Sequence, residues 1–218
     1  MHEAAVFLGP TLSAATARSL LDARYLPPIR RGDLANLGPE IRCVGIVDGE
    51  FYQSLAVSPK EILPLLERGV SVFGSSSMGA LRAAELWPYG MVGVGRIFEA
   101  YRDGVVDADD EVAVIYDPKT FRPLSDPLIN IRFALEEAVQ RGRLSERRAG
   151  EALAQLRAIY FPGRSFRLVS ELCPELGGFP EQNRPDQKGE DARLLLHAMR
   201  AAVPGYSPAA AGGGAFFT

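Results

Sequence analysis

The chain has 218 residues, with 24 Lys+Arg against 27 Asp+Glu, a formal net charge of −3, two His and two Cys. That length suits one domain, or one domain with a modest appendage, and the near-neutral charge argues against a nucleic-acid binder working by bulk charge. So few His and Cys exclude a zinc finger, a three-His metal site and a disulfide scaffold. No metal or cofactor is expected, and any chemistry must rest mainly on Ser, Asp, Glu, Arg and backbone amides.

Ala5-Val6-Phe7-Leu8 reads as a buried strand ended by Gly9-Pro10. Thr11 or Ser13 then caps a helix running to about Ala23. Residues 41–47 form a short, β-branched second strand closed by Asp48-Gly49. Ser58-Pro59-Lys60-Glu61 carries a capping Ser, Pro at the first helical position and Glu at the third, which predicts a helix to about Arg68. Residues 70–73 are the next strand, followed directly by Gly74-Ser75-Ser76-Ser77-Met78-Gly79 and a helix through Leu86. This alternation predicts an α/β fold with a parallel sheet. Residues 111–116 read as one more strand, and the rest as mainly helical: 128–141, 144–160 and 191–203. The resulting division is an α/β core over 1–125, a helical extension packed on it over 126–203, and a disordered tail over 204–218.

No run reaches the length of a membrane span. The start lacks the pattern of a signal peptide, and Cys43 and Cys173 have no CxxC spacing, so a cytoplasmic protein with reduced thiols is expected. Only three of the basic residues are lysines, Lys60, Lys119 and Lys188. That bias is read as a signature of a GC-rich genome.

Ligands in such sheets bind beyond the carboxyl ends of the strands. Three segments belong there: Gly9 to Ser13, including Thr11; Asp48 to Phe51; and Gly74 to Gly79. In the third, a strand runs through small residues into a helix N-terminus, where free amides favour an anion or a developing oxyanion. Ser75-x-Ser77-x-Gly79 approximates a nucleophile elbow, with serine in place of the first glycine. Three readings stay open: a capped turn, anion or carbonyl binding by the amides, and a Ser77 nucleophile. Asp48 either orients a base or water, binds an amine, or opens an Asx turn. Arg82 and Glu85 are a surface ion pair, or are aimed at a ligand from a helix rich in small residues. Asp109-Asp110-Glu111 reads as a solvated acidic loop, with a metal clamp as the alternative. His197 reads as packed or surface, Cys43 as inert core, and a Ser-His-Asp triad lacks support, leaving Lys60 or an acid as base.

Several segments follow in order: Gly9-Pro10-Thr11-Leu12-Ser13, Ile46-Val47-Asp48-Gly49, Gly74 through Leu86, Gly90-Met91-x-Gly93-x-Gly95, Asp109-Asp110-Glu111-Val112 and Pro123-Leu124-Ser125-x-Pro127-Leu128. Together they resemble the TfuA-like family over roughly residues 5–135. The resemblance implies a partner of YcaO-type enzymes, which exchange a peptide backbone amide oxygen for sulfur. It implies either of two roles: releasing sulfide from a thiocarboxylated, ubiquitin-like sulfur-carrier protein, or serving as a non-catalytic adaptor that recruits or activates the YcaO enzyme. A nucleotide-binding module ranks last, because no GxxxxGK[ST] loop is present. In the hydrolytic role Ser77, Asp48 and Lys60 are the expected catalytic residues. Thr11, Ser13, Ser75, Ser76, Met78, Gly79, Arg82 and Glu85 are expected to bind the substrate or its charge. Neither nucleic acid nor membrane is expected as a partner, and self-association is left open. One departure stands out: Pro59 occupies a place where many relatives are expected to carry His, so a general base must come from elsewhere.

Overall fold

A computed structural model describes residues 2–51, 55–180 and 184–202. Its centre is a five-stranded, all-parallel sheet: β1 (Ala4–Phe7), β2 (Arg24–Leu26), β3 (Cys43–Ile46), β4 (Ser71–Ser75) and β5 (Val92–Val94), in the order β2-β1-β3-β4-β5. β1 pairs with β3 so that Phe7 lies beside Ile46, and β3 pairs with β4 so that Ile46 lies beside Gly74. The strand order reverses between β1 and β3, which places a crevice at their carboxyl ends.

The strand residues are apolar on both sides because both faces are covered. Ala5, Phe7, Val44, Ile46 and Val72 pack with residues of α2 (Pro59–Glu67) and α3 (Met78–Leu86). Ala4, Val6, Cys43 and Phe73 face α1 (Ala14–Leu20) and α8 (Gln187–Ala202). The last helix therefore returns to the sheet. Leu195, Leu196 and Met199 are fully buried there, each worth roughly 1.5–3 kcal/mol of transfer free energy. A Cβ on Gly45 would run into the Met199 sulfur, so glycine sets how closely α8 approaches β3. The remaining helices are α4 (Arg96–Arg102), α5 (Leu128–Gln140), α6 (Glu146–Arg157) and α7 (Phe166–Leu172). Helices α5 to α7 enclose a third apolar cluster around Leu135, Leu156 and Phe166.

Several expectations need correcting. The helix expected to reach Ala23 ends at Leu20, and the chain turns into β2. Residues 111–116 are not a strand: a 3-10 turn spans Asp109–Glu111, and one isolated bridge joins Tyr116 to Pro123. The Glu111 carboxylate is gripped by Arg132 of α5, which holds this segment away from the sheet. Helix α8 starts four residues before the expected Asp191 because Asp186 caps it, its Oδ1 accepting the Gly189 N–H at 3.1 Å. The tail expected to be disordered, 204–218, lies outside the described residues.

Candidate functional site

The turn from β4 into α3 is locally strained. Ser76 has φ 68°, a left-handed conformation costing an L-residue roughly 1–2 kcal/mol, and the Ser77 N–H bridges back to the Ser75 carbonyl at 2.7 Å. The fold holds the strain through α8. The Ser76 hydroxyl donates to the Lys188 carbonyl at 2.8 Å, and the Ser75 hydroxyl to the Asp191 carbonyl at 3.2 Å. A Cβ on Gly79 would strike the Ile46 carbonyl, so only glycine lets α3 start this close to β3. With its neighbours pinned, Ser77 projects toward a cleft beyond the strand ends.

Lys188, in the first turn of α8, completes this arrangement. Its Nζ donates to Ser77 Oγ at 3.1 Å and to the Val112 carbonyl at 2.8 Å. Its backbone N–H donates to Asn130 Oδ1 at 3.0 Å. The side chain is buried, and among the described residues no carboxylate lies within ion-pair distance of it. Burial holds its pKa below the ordinary lysine value, with the charges of Asp48 and Asp186 opposing. A neutral amine beside a serine hydroxyl is the chemical requirement for a general base. Arginine cannot meet it, because guanidinium stays protonated.

The acidic segment before Val112 acts as a clamp. Glu111, fully buried, takes a bidentate pair from Arg132 at 2.8 and 2.5 Å. Arg164 holds the Asp110 carbonyl at 2.9 Å and its carboxylate at 2.7 Å. These contacts fix the carbonyl that receives Lys188. The expectation of a solvated loop is thus corrected for Glu111, and the described residues contain no cluster suited to a metal.

Asp48 sits just past β3, at the switch point. Its carboxylate accepts the Gly9 N–H at 2.9 Å, the Thr11 N–H at 3.1 Å and the Thr11 hydroxyl at 2.5 Å. Three donors engage its two oxygens, so it staples the β1 exit to the β3 exit and lines the cleft. Asp48→Ala leaves two amides without their partner. The variant is expected to lose about 2–4 kcal/mol of stability in urea denaturation, more than a surface substitution would cost.

The other expected site residues divide clearly. Ser75 and Ser76 hold α8 with their hydroxyls. Thr11 belongs to the Asp48 staple. Ser13 is an exposed cap of α1, accepting the Thr16 N–H at 3.1 Å. The Gly79 N–H donates to the Val47 carbonyl at 3.3 Å. Met78, the first residue of α3, follows the projecting serine, and no partner for its amide is found among the described residues. Arg82 and Glu85 pair with each other and line neither cleft. Lys60 is exposed on α2 and also lines neither, which corrects its expected place at the site. Pro59 is simply the first residue of that helix. His197 is exposed, and burial pushes the Cys43 thiol up to about 11.

Lys188 was missed by sequence reasoning, although a signal existed. In a chain where arginine is the default base, a lysine that remains marks a place where arginine does not serve. Lys60 and Lys119 are exposed and Lys188 is buried.

The cleft over Ser77 has a volume of about 880 Å³. Ser77, Asp48 and Gly49 line its base, and Phe51, Tyr116, Phe121, Tyr160 and Phe161 its sides. At its rim Glu50 accepts from the Tyr116 hydroxyl at 2.8 Å and from Arg30 at 3.1 Å. The space has several aromatic rings in its lining and the volume to take a peptide end of small residues.

No curated protein matches the chain. A family model described as TfuA-like protein matches residues 48–165, more than half of the sequence. The match begins at Asp48, includes the serine turn and the Glu111–Arg132 clamp, and stops before Lys188. The chain therefore belongs to the TfuA-like family, and this membership supports an accessory role in the YcaO system.

Proposed function

We propose that this protein supplies sulfide for YcaO-dependent backbone thioamidation by hydrolysing the C-terminal thiocarboxylate of a ubiquitin-like sulfur-carrier protein. The carrying observation is the hydrogen bond between Ser77 and the buried Lys188 at the base of an aromatic cleft. A neutral lysine takes the Ser77 proton as Oγ adds to the thiocarboxylate carbon. The Met78 amide, at the positive end of α3, is the donor this scheme assigns to the charge that develops on oxygen. The C–S bond breaks, the lysine proton goes to sulfur, and hydrosulfide leaves an ester on Ser77. Water then attacks that ester, its proton passing through Lys188 to Oγ, and the carrier leaves as a carboxylate.

Asp48, in this scheme, shapes the site and biases Lys188 electrostatically, and Lys188 takes the place of the base. The adaptor role makes the opposite prediction: mixing the pure protein with thiocarboxylated carrier, without the YcaO enzyme, yields no sulfide above background. The hydrolytic role requires release under those conditions.

The pH profile follows from the same lysine. Its pKa is depressed in the folded state, and the neutral form is the active one. The rate of sulfide release at limiting carrier should therefore rise with pH through that depressed value and level off above it. Stability moves in the same direction. Between the folded and unfolded lysine pKa values the unfolded chain binds the extra proton, so this group's contribution improves as pH rises. A rate falling with increasing pH across the neutral range contradicts Lys188 as base.

A further inference from the structure

Two clefts flank the hydrogen-bonded pair Ser77 and Lys188. The larger, about 880 Å³, is lined by Ser77 and not by Lys188, and the smaller, about 400 Å³, by Lys188 and not by Ser77. Pro10 and Val114 line both and form the partition. The linings differ in character. The larger cleft has aromatic rings along its walls and charged groups such as Arg30 and Glu50, whereas Thr11, Ser125, Asn130 and Asp186 give the smaller one a more polar lining, interrupted by prolines and Phe166.

We propose that the smaller cleft is a separate passage for small polar species, through which hydrosulfide leaves and water reaches the ester, while the carrier's tail fills the larger cleft. This rests on the hydrolytic reading above. Between the two half-reactions the carrier stays esterified to Ser77, so its tail still occupies the larger cleft. A route on the Lys188 side spares the departing hydrosulfide and the incoming water from passing that tail. The smaller cleft is too small for a folded partner, yet at ~30 Å³ per water it holds on the order of ten waters. It is lined by Lys188, the residue through which the protons are exchanged. In the first half-reaction the Oγ–C bond forms and the C–S bond breaks, and the proton moves from Oγ through Nζ to sulfur. In the second, the bond from water oxygen to carbon forms and the C–Oγ bond breaks. The proton of water then moves through Nζ to Oγ. Both small species thus belong on the Lys188 side.

Pro123 is exposed and lines the smaller cleft alone, and both native cysteines are buried. Pro123→Cys, alkylated with iodoacetamide or with a pyrene maleimide, places a small or a bulky thioether at this cleft. Acyl-enzyme is read by intact mass after acid quench, and turnover by sulfide release from the thiocarboxylated carrier. The bulky adduct is expected to accumulate acyl-enzyme and to turn over at least tenfold more slowly, with the small adduct near the unmodified rate. A bulky adduct that turns over normally overturns the passage while leaving hydrolysis intact. One that no longer binds the carrier, measured by titration, also overturns it, because the smaller cleft then admits the carrier itself. If unmodified protein releases no sulfide at all, the hydrolytic reading fails and the passage falls with it. Arg184→Cys, on the same cleft, gives the same readout should Pro123→Cys not fold.

Discussion

Lys188→Arg should lose sulfide release by roughly 10²- to 10⁴-fold, the usual contribution of a positioned acid–base group, while still binding the carrier. Arginine has the reach and can still donate to the Val112 carbonyl. It cannot become neutral, so it cannot take the Ser77 proton. Lys188→Met removes the basic amine with little change of volume and should be equally inactive. Carrier binding, measured by titration, separates this account from a purely structural one. If Lys188 merely held α8 against the Val112 carbonyl, arginine would restore function and methionine would impair folding and binding together. A Lys188→Arg variant with wild-type turnover removes Lys188 from the chemistry.

Ser77→Ala should be the more damaging change. The side chain is small and its Oγ makes one hydrogen bond to Lys188 at 3.1 Å and a long one to the Val112 carbonyl at 3.4 Å. The fold should therefore tolerate the loss, with thermal stability within about 1 kcal/mol of the parent. Without the nucleophile, only binding and oxyanion contacts remain, and in serine enzymes loss of the nucleophile costs on the order of 10⁶-fold. Ser75→Ala and Ser76→Ala act differently, because both hydroxyls hold α8. Their effect should appear first in stability and only through it in rate.

The contrast between these serines marks how far the sequence reading reached. The strand ending in small residues before Met78-Gly79 identified the turn, and the Ser75-x-Ser77-x-Gly79 spacing made a projecting Ser77 one of three open readings. The partner was another matter. Lys188 lies 111 positions from Ser77, on a helix whose first turn reads as loop because Gly189 interrupts its apolar periodicity. Edge strands β2 and β5 were equally hidden. Each has only three residues, too short for alternation to register. Asp48 was recognised as a site residue from its place after β3, but its role as a staple depends on the Gly9 and Thr11 amides, which only the β1–β3 pairing brings to it. The acidic run at Asp109 misled for a similar reason: composition suggests solvent, and the deciding fact is Arg132 on the next helix, 21 positions from Glu111.

Family membership explains what the matched region contains, while the base proposed here lies beyond it. Residues 48–165 include the serine turn, Asp48 and the clamp that fixes the Val112 carbonyl. Pro59 takes the place where the resemblance led to an expected histidine, and in the proposed chemistry Lys188 supplies what that residue does not.

The most direct test is the intact mass of the protein after brief mixing with thiocarboxylated carrier and acid quench. The expected product is a covalent adduct equal to protein plus carrier minus hydrogen sulfide, mapped to Ser77 and absent in Ser77→Ala. Sulfide release with no such adduct would contradict the serine–lysine mechanism, and no sulfide and no adduct would contradict hydrolysis itself.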